Sequence, residues 1–489
     1  MHNATTPTPD TAESPPLLAV DLDGTLIRSD MLLESWWNVA SSNLAGALRA
    51  LGTLPKGKAA FKQALAGLAQ VDVSGLPYNE DVLDHIRAHR AAGGRTALVT
   101  ATDQEIAQEI AEHLQLFDEV HASDGETNLK GATKAAFLQE RYGQGGFDYI
   151  GDNQADVEVW KAARKAITVN APNDLRAAAE VAAPDGAEHL GTPDARRPNK
   201  AWLRAMRPHQ WAKNVLLFLP VILSHSFAAG DWVATAIGFV IFSMIASSVY
   251  LLNDLLDLAA DRAHPRKRFR PLPSGEMDLL HGTLLAPGLL VAGFVLAAVL
   301  LPTGFLAVLF GYYVITMAYS FGLKRKLVVD ICTLAVLYSV RILAGGAATE
   351  IPISAWLLAF TGFLFLSLAA IKRQAELISD FSAGREGSAG RAYVTSDLPI
   401  VSGMALSAGY VGVLVLVLYV STPDVTELYS TPLMLWGICG ILLYWISRVV
   451  MMTHRGMMHD DPVVFALKDG TSRLCGLLIV LIAIAASIG

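Results

Sequence analysis

Asp21 and Asp23 stand either side of one leucine in PPLLAVDLDGTLIRSD (15–30), and Gly24 and Thr25 follow. Alternate strand residues project to the same side, so the pair would leave the end of a strand together. Gly24 permits the sharp turn that must follow. One such carboxylate can attack phosphorus while the other moves a proton, and carboxylate oxygens suit Mg²⁺. Further along, RTALVTATD (95–103) ends near Thr100, LKGATKAAFL (129–138) carries Lys130 and Lys134, and FDYIGDNQAD (147–156) ends in Asp152 and Asp156. A hydroxyl for a phosphoryl oxygen, an ammonium for its charge and carboxylates for a Mg²⁺ shell are the parts of phosphoryl transfer. Taken singly, strand-end aspartates also serve as helix caps.

A second acid-rich stretch is YLLNDLLDLAADRAHPRKRFRPLPSGE (250–276). At about 3.6 residues per turn, Asn253, Asp257 and Asp261 share one helix face, with Asp254 beside them. His264, Lys267, Arg268 and Arg270 follow directly. Acids alone would repel phosphate, but acids with Mg²⁺ and bases make a diphosphate site. A second basic element, YSFGLKRKLVVD (319–330), offers Tyr319, Lys324 and Asp330. RPHQWAKN (207–214) adds Lys213 and Asn214, and SVRILAGG (339–346) adds Arg341. IKRQAELISD (371–380) and HDDPVVFALKDG (459–470) are read on the same side. Each of these basic elements has a plainer reading as an interfacial anchor.

The elements that must position these residues fall into two classes. Residues 16–188 alternate short apolar strands with charged, Ala-rich helices, which predicts a Rossmann-like α/β domain. From about 214 long apolar runs follow, each near the roughly 20 residues that span a bilayer. They are placed near 214–230, 233–253, 283–301, 304–321, 328–348, 354–371, 400–421, 431–450 and 474–488, which predicts nine spans over 201–489. Residues 1–15 read as a disordered tail without a signal peptide, 189–200 as a linker, and 201–214 as an amphipathic interfacial helix. Alternate loops carry the Lys and Arg. The positive-inside rule therefore places the N-terminal domain and the long loops in the cytoplasm, and an odd number of spans places Gly489 outside.

Composition sets the outer limits. Hydrophobic residues make up 53% of the 489 and charged residues only 17%. That excludes a disordered chain. A net charge of -7 argues against nucleic-acid binding. The three cysteines lie in apolar runs and suggest neither disulfides nor zinc.

The motif order over about 16–180 resembles the haloacid dehalogenase superfamily, in texture its phosphoserine-phosphatase-like members. The resemblance implies Asp21 as nucleophile, Asp23 as acid and base, and Thr100 and Lys134 as phosphate ligands. It implies Mg²⁺ held by Asp21, Asp152 and the backbone carbonyl of Asp23, beneath a helical cap at about 30–90. Lys130 competes for the lysine role, and the spacing to Leu138 fits the family pattern better with Lys134.

Over 200–489 the chain resembles the UbiA superfamily of intramembrane prenyltransferases. Asn253, Asp257 and Asp261 would bind Mg²⁺, with Asp254 also in the catalytic set. The second motif departs from the usual acid-rich form, with one acid, Asp330, and three bases. With RPHQWAKN and DDPVVFALKD, this resembles the decaprenyl-phosphate phosphoribosyltransferase branch. That branch implies phosphoribosyl diphosphate as donor and a polyprenyl phosphate as acceptor. Lys213, Arg268, Lys324 and Arg341 are the phosphate-binding candidates, since three phosphate groups must be held. The domain pairing implies that the phosphatase removes the ribose 5-phosphate, at a substrate concentration raised by tethering. An aromatic-acceptor prenyltransferase, with a regulatory or unrelated N-terminal domain, is the alternative.

Overall fold

The computed structural model describes residues 15–123, 128–193, 200–387, 391–423, 425, 429–458 and 461–488. The expected tail, apart from residue 15, part of the expected linker, His459 with Asp460, and Gly489, whose side of the membrane was an expectation, lie outside the described residues. The chain forms two compact units. One comprises Met1–Met206 with Tyr250–Ala286, the other Arg207–Val249 with Pro287–Gly489.

The first unit is built on a six-stranded parallel sheet. Its strands are β1 (Leu17–Val20), β2 (Thr96–Asp103), β3 (Glu119–Ser123), β4 (Phe147–Gly151), β5 (Ala166–Val169) and β6 (Ala187–Leu190), in the order β3-β2-β1-β4-β5-β6. Because β6 runs to Leu190, the expected domain end at 188 cuts through a strand. Parallel sheets carry helices on both faces, so their strands are apolar on both. Leu17 and Ala19 pack with Phe147, Tyr149 and Trp160 on one face. Leu18 and Val20 pack with Leu98, Ile150 and Ile167 on the other. The helical insert after β1 comprises Met31–Ser42, Leu44–Leu51 and Lys58–Ala66. Helix Glu80–Ala91, expected in the cap, instead packs Val82, Leu83 and Ile86 against the sheet.

The second unit is helical. Among the described residues, eight helices are long and apolar enough to cross a membrane: Ala229–Leu256, Leu279–Leu300, Thr303–Phe321, Val329–Thr349, Ala355–Ser382, Thr395–Val420, Pro432–His454 and Gly470–Ser487. The first and second of these straddle the unit boundaries. The chain is a multi-pass membrane protein. The ninth expected span, 214–230, is not one helix. A 3₁₀ run, Pro208–Phe218, passes into the short helix Leu219–Leu223, and His225 has φ +50°. The same break divides the expected amphipathic helix 201–214. Its helix ends at Ala205, Arg207 turns left-handed at φ +55°, and Pro208 begins the 3₁₀ run. Proline lacks the amide that a continuing helix needs.

Candidate active sites

In the first unit, the residues after β1, β2 and β4 meet at the carboxyl ends of the strands. Gly24, at φ +77°, turns the chain after Asp23 and donates its N–H to the Ser29 carbonyl at 3.0 Å. Lys134 Nζ donates to Asp21 Oδ1 at 2.7 Å and to the Tyr149 hydroxyl at 2.9 Å, while Lys130 is exposed. Asp23 accepts from the Met31 N–H at 2.8 Å and the Thr102 hydroxyl at 3.0 Å. Thr25 donates to Asp152 at 3.0 Å. Thr100 is fully buried, and its Oγ1 accepts from the Thr102 N–H at 3.0 Å. Burial, with the charges of Asp30 and Asp21, pushes the Asp23 carboxyl up to about 7. That keeps a proton available near neutrality, as a general acid requires.

Oxygens of Asp21, Asp152 and Asp156 lie within 4.8 Å of one another. Three hard oxygen donors at this spacing fit Mg²⁺. Asp156 also braces the turn, accepting from the backbone N–H groups of Asp152 and Asn153 at 3.0 Å each and from Tyr149 at 3.0 Å. Burial, with Asp21 and Asp152 nearby, pushes its carboxyl up to about 7 against the pull of Lys134. Sequence reading singled out Asp21, Asp23, Thr100, Lys134, Asp152 and Asp156 but not Thr102 or Tyr149, whose roles depend on side-chain reach.

The acid-rich segment packs in the first unit as well. Helix Ala229–Leu256 gives way at Asp257, with φ -99° and ψ 16°, to the short helix Leu258–Ala263. Helical hydrogen bonding continues through this junction, from the Asp257 N–H to the Asn253 carbonyl at 2.9 Å and from the Asp261 N–H to the Asp257 carbonyl at 2.8 Å, so the four-residue spacing of Asn253, Asp257 and Asp261 is kept. Arg270 Nη1 bridges Asp254, at 3.0 Å, and Asp261, both buried. Lys267 Nζ stands 3.4 Å from Asp261 Oδ1, a buried atom that accepts no hydrogen bond among the described residues. Asn253 and Asp257 are half-buried. Among the described residues, Asp21, Asp152 and Asp156 are the one His/Cys/Asp/Glu cluster with ligand atoms so close. The carboxylates here suit a cation chemically, and Asp261 Oδ1 retains acceptor capacity for one. His264 Nδ1 accepts from the Arg266 N–H at 3.2 Å, and Arg268 lies exposed over the Phe269 ring, 4.8 Å from its centroid.

The second unit gathers the remaining candidates other than Lys324 into two clusters. Lys213 Nζ donates to Asp461 at 2.7 Å, Tyr338 donates to the same carboxylate at 3.0 Å, and Lys372 stands 3.4 Å away. The two lysines hold the Asp461 carboxyl well below its usual range despite burial. Arg341 Nε donates to Asn214 at 2.9 Å, and its guanidinium lies over Phe242, Tyr312 and Tyr338. Asp330, fully buried, pairs with Arg373 at 2.7 Å and Arg391 at 3.1 Å and accepts from Tyr319 at 2.9 Å. It anchors two arginines. Lys324 is half-buried. Asp461 and Arg373 were not singled out by sequence reading, although the segments holding them were. Asp461 meets Lys213 across 248 positions, a distance no local spacing reveals.

The UbiA prenyltransferase family model matches residues 215–466, and the haloacid dehalogenase-like hydrolase model matches 18–161. The uncharacterized protein y4nM of Sinorhizobium fredii is 38% identical over 94% of this chain and 89% of its own length. Nodulation protein NoeC of Azorhizobium caulinodans is 37% identical over 58% of this chain and 91% of that protein. Decaprenyl-phosphate phosphoribosyltransferase of Mycolicibacterium smegmatis is 42% identical over 36% of this chain and 56% of that protein. The chain belongs to the UbiA prenyltransferase family, with a haloacid dehalogenase-like domain ahead of the transferase.

Proposed function

We propose that the transferase moves 5-phosphoribose from phosphoribosyl diphosphate to a polyprenyl phosphate, and that the N-terminal domain removes the 5-phosphate to give polyprenyl-phosphoryl ribose. One observation carries the reading. The chain has basic residues well beyond a single diphosphate's need, and its relatives include decaprenyl-phosphate phosphoribosyltransferases. Asn253, Asp257 and Asp261 would hold Mg²⁺, with Asp254 beside them in the catalytic set, and the ion would neutralise the leaving diphosphate. His264, Lys267, Arg268 and Arg270 would clamp that group, with Arg270 exchanging Asp254 and Asp261 for phosphate oxygens. Lys213, Asn214, Tyr319, Lys324 and Arg341 would hold the other phosphates. The lipid phosphate is already ionised and attacks ribose C1 without a protein base. Catalysis then rests on positioning and on charge stabilisation of the leaving group.

In the phosphatase, Asp21 attacks phosphorus to form an aspartyl-phosphate while Asp23 protonates the departing ribose oxygen. Asp23 next takes a proton from the water that hydrolyses the intermediate. Lys134 and Thr100 bind phosphoryl oxygens, and Asp21, Asp152 and the Asp23 carbonyl would hold this domain's Mg²⁺. Both sites are assigned to the cytoplasmic face of the inner membrane.

Full chain in lipid nanodiscs, given Mg²⁺, a polyprenyl phosphate and labelled phosphoribosyl diphosphate, should move label into the organic phase as lipid-linked ribose. Asp21→Asn should accumulate lipid-linked ribose 5-phosphate, and Asp257→Ala should abolish transfer. Absence of transfer, with prenylation of an aromatic acid from a polyprenyl diphosphate, would overturn the reading.

A further inference from the structure

The acid-rich segment is ordered from outside itself. Arg262, next in sequence to Asp261, is 8% exposed and makes a two-pronged ion pair with Glu34, which is 4% exposed. Nη2 donates to Oε1 at 2.6 Å and Nη1 to Oε2 at 2.9 Å, while Nε donates to the Pro273 carbonyl at 2.9 Å. Arg262 thereby ties the two ends of the loop 262–273, which contains Lys267 and Arg270. Glu34 lies on helix Met31–Ser42, and its Oε1 also accepts from the Ser29 hydroxyl. Ser29 belongs to the turn that Asp23 anchors through the Met31 N–H.

Two more contacts fix the same surface. Trp37 Nε1 donates to Thr283 Oγ1 at 2.9 Å. Gly275, at φ +71°, lies so close to Arg28 that a Cβ there would stand 2.5 Å from the Arg28 carbonyl oxygen. A cavity of about 490 Å³ beside the pair is lined by Trp37, Asp72 and Asp257 as well as Glu34 and Arg262.

We infer that Glu34 is a positioning residue for the transferase: through Arg262 it fixes the junction between the acids of Asn253–Asp261 and the basic loop after them, which together receive the metal-bound diphosphate. A bidentate carboxylate–guanidinium pair fixes direction as well as distance, which a lone hydrophobic contact does not. Burial makes each partner's charge dependent on the other. The N-terminal domain thus serves the transfer step as a scaffold, separately from any turnover of its own. This rests on the assignment of Asn253–Asp261 as the diphosphate site.

The test uses full chain in nanodiscs and Mg²⁺-pyrophosphate as the probe. Asp257→Ala defines the part of the binding that belongs to this segment, the acids and the loop together. Glu34→Gln and Arg262→Met should each weaken that part about tenfold, as loss of a residue supporting a metal-binding shell typically does. The KM for phosphoribosyl diphosphate should rise similarly, with kcat within about twofold. Arg262→Met should leave hydrolysis of an aryl phosphate unchanged. A Glu34→Gln/Arg262→Met double variant should be little worse than Arg262→Met alone, because the ion pair between them is already lost in that single variant. Single variants that fold and bind Mg²⁺-pyrophosphate like wild type would overturn the inference, even if they melt earlier. Wild type without Asp257-dependent binding would overturn it too. Wild type that binds pyrophosphate but transfers no ribose would sink only the functional reading, and the binding constants would still decide the role of Glu34.

Discussion

Replacing Lys134 with methionine keeps the length of the side chain and removes its charge. The ammonium lies 2.7 Å from Asp21 Oδ1, so a phosphoryl group passing to that carboxylate would come within about 4 Å of it. At an effective dielectric near 20, two unit charges at that distance interact by about 4 kcal/mol. Lys134 is 3% exposed, which favours this regime over that of bulk water. Each factor of ten in rate corresponds to about 1.4 kcal/mol, so Lys134→Met should slow hydrolysis roughly a thousandfold. The loss should fall chiefly on kcat, since the charge on the transferring group is best complemented in the transition state. The assay is release of phosphate from an aryl phosphate by full chain. Lys130→Met serves as the control and should remain within about twofold of wild type. In the coupled transfer assay, Lys134→Met should leave the 5-phosphate on the lipid product. More than about a tenth of wild-type hydrolysis in Lys134→Met, or a matching loss in Lys130→Met, would refute the reasoning.

Arg373→Met would leave the buried Asp330 carboxylate with Arg391 as its remaining arginine partner, and breaking a buried pair this way costs about 3–5 kcal/mol. The variant should melt earlier in detergent, and Arg373→Met/Asp330→Asn should recover much of the loss; a wild-type melting curve for the single variant would contradict the pairing. Asp118 accepts from the Thr96 N–H at 2.8 Å and from Arg90 at 2.9 Å. Burial opposes ionisation, but these hydrogen bonds and the Arg90 charge hold the carboxyl below its ordinary value. A carboxyl lowered on folding stabilises above its unfolded pKa of about 3.9 and loses that contribution as pH falls through the folded value. Thermal melts of wild type and Asp118→Asn should therefore converge as the pH drops below about 4; a constant gap between them would refute the assignment.

The candidate site of the first unit was legible because most of its groups sit at strand ends, where local apolar runs announce the scaffold and the parallel sheet brings the ends together. Asp21, Asp23, Thr100 and Asp152 needed only their strands to be placed, and Lys134 the helix Ala132–Tyr142. The acid-rich segment was legible in its residues and their helical spacing but not in its basic partner. Asp254 and Asp261 lie seven positions apart, about two helical turns, so they face one side together, and there Arg270 meets both. The count of spans erred for a different reason. Hydropathy reads 214–230 as apolar without registering that Pro208–Phe218 follows a 3₁₀ path. Glu34 gave no signal, since a carboxylate inside a helical insert reads as surface until its partner, 228 positions away, is seen.

The interlock of residues 28–37 with 262–283 governs how the gene can be divided. A fragment starting near residue 200 would carry Arg262, Gly275 and Thr283 stripped of Glu34, Arg28 and Trp37. The guanidinium would lose its carboxylate, and a face shaped to receive an indole would meet water. Such a fragment calls for a substitute at Arg262 or for the missing helix supplied in trans. Translation in one reading frame delivers both sides of the interlock together, at equal dose.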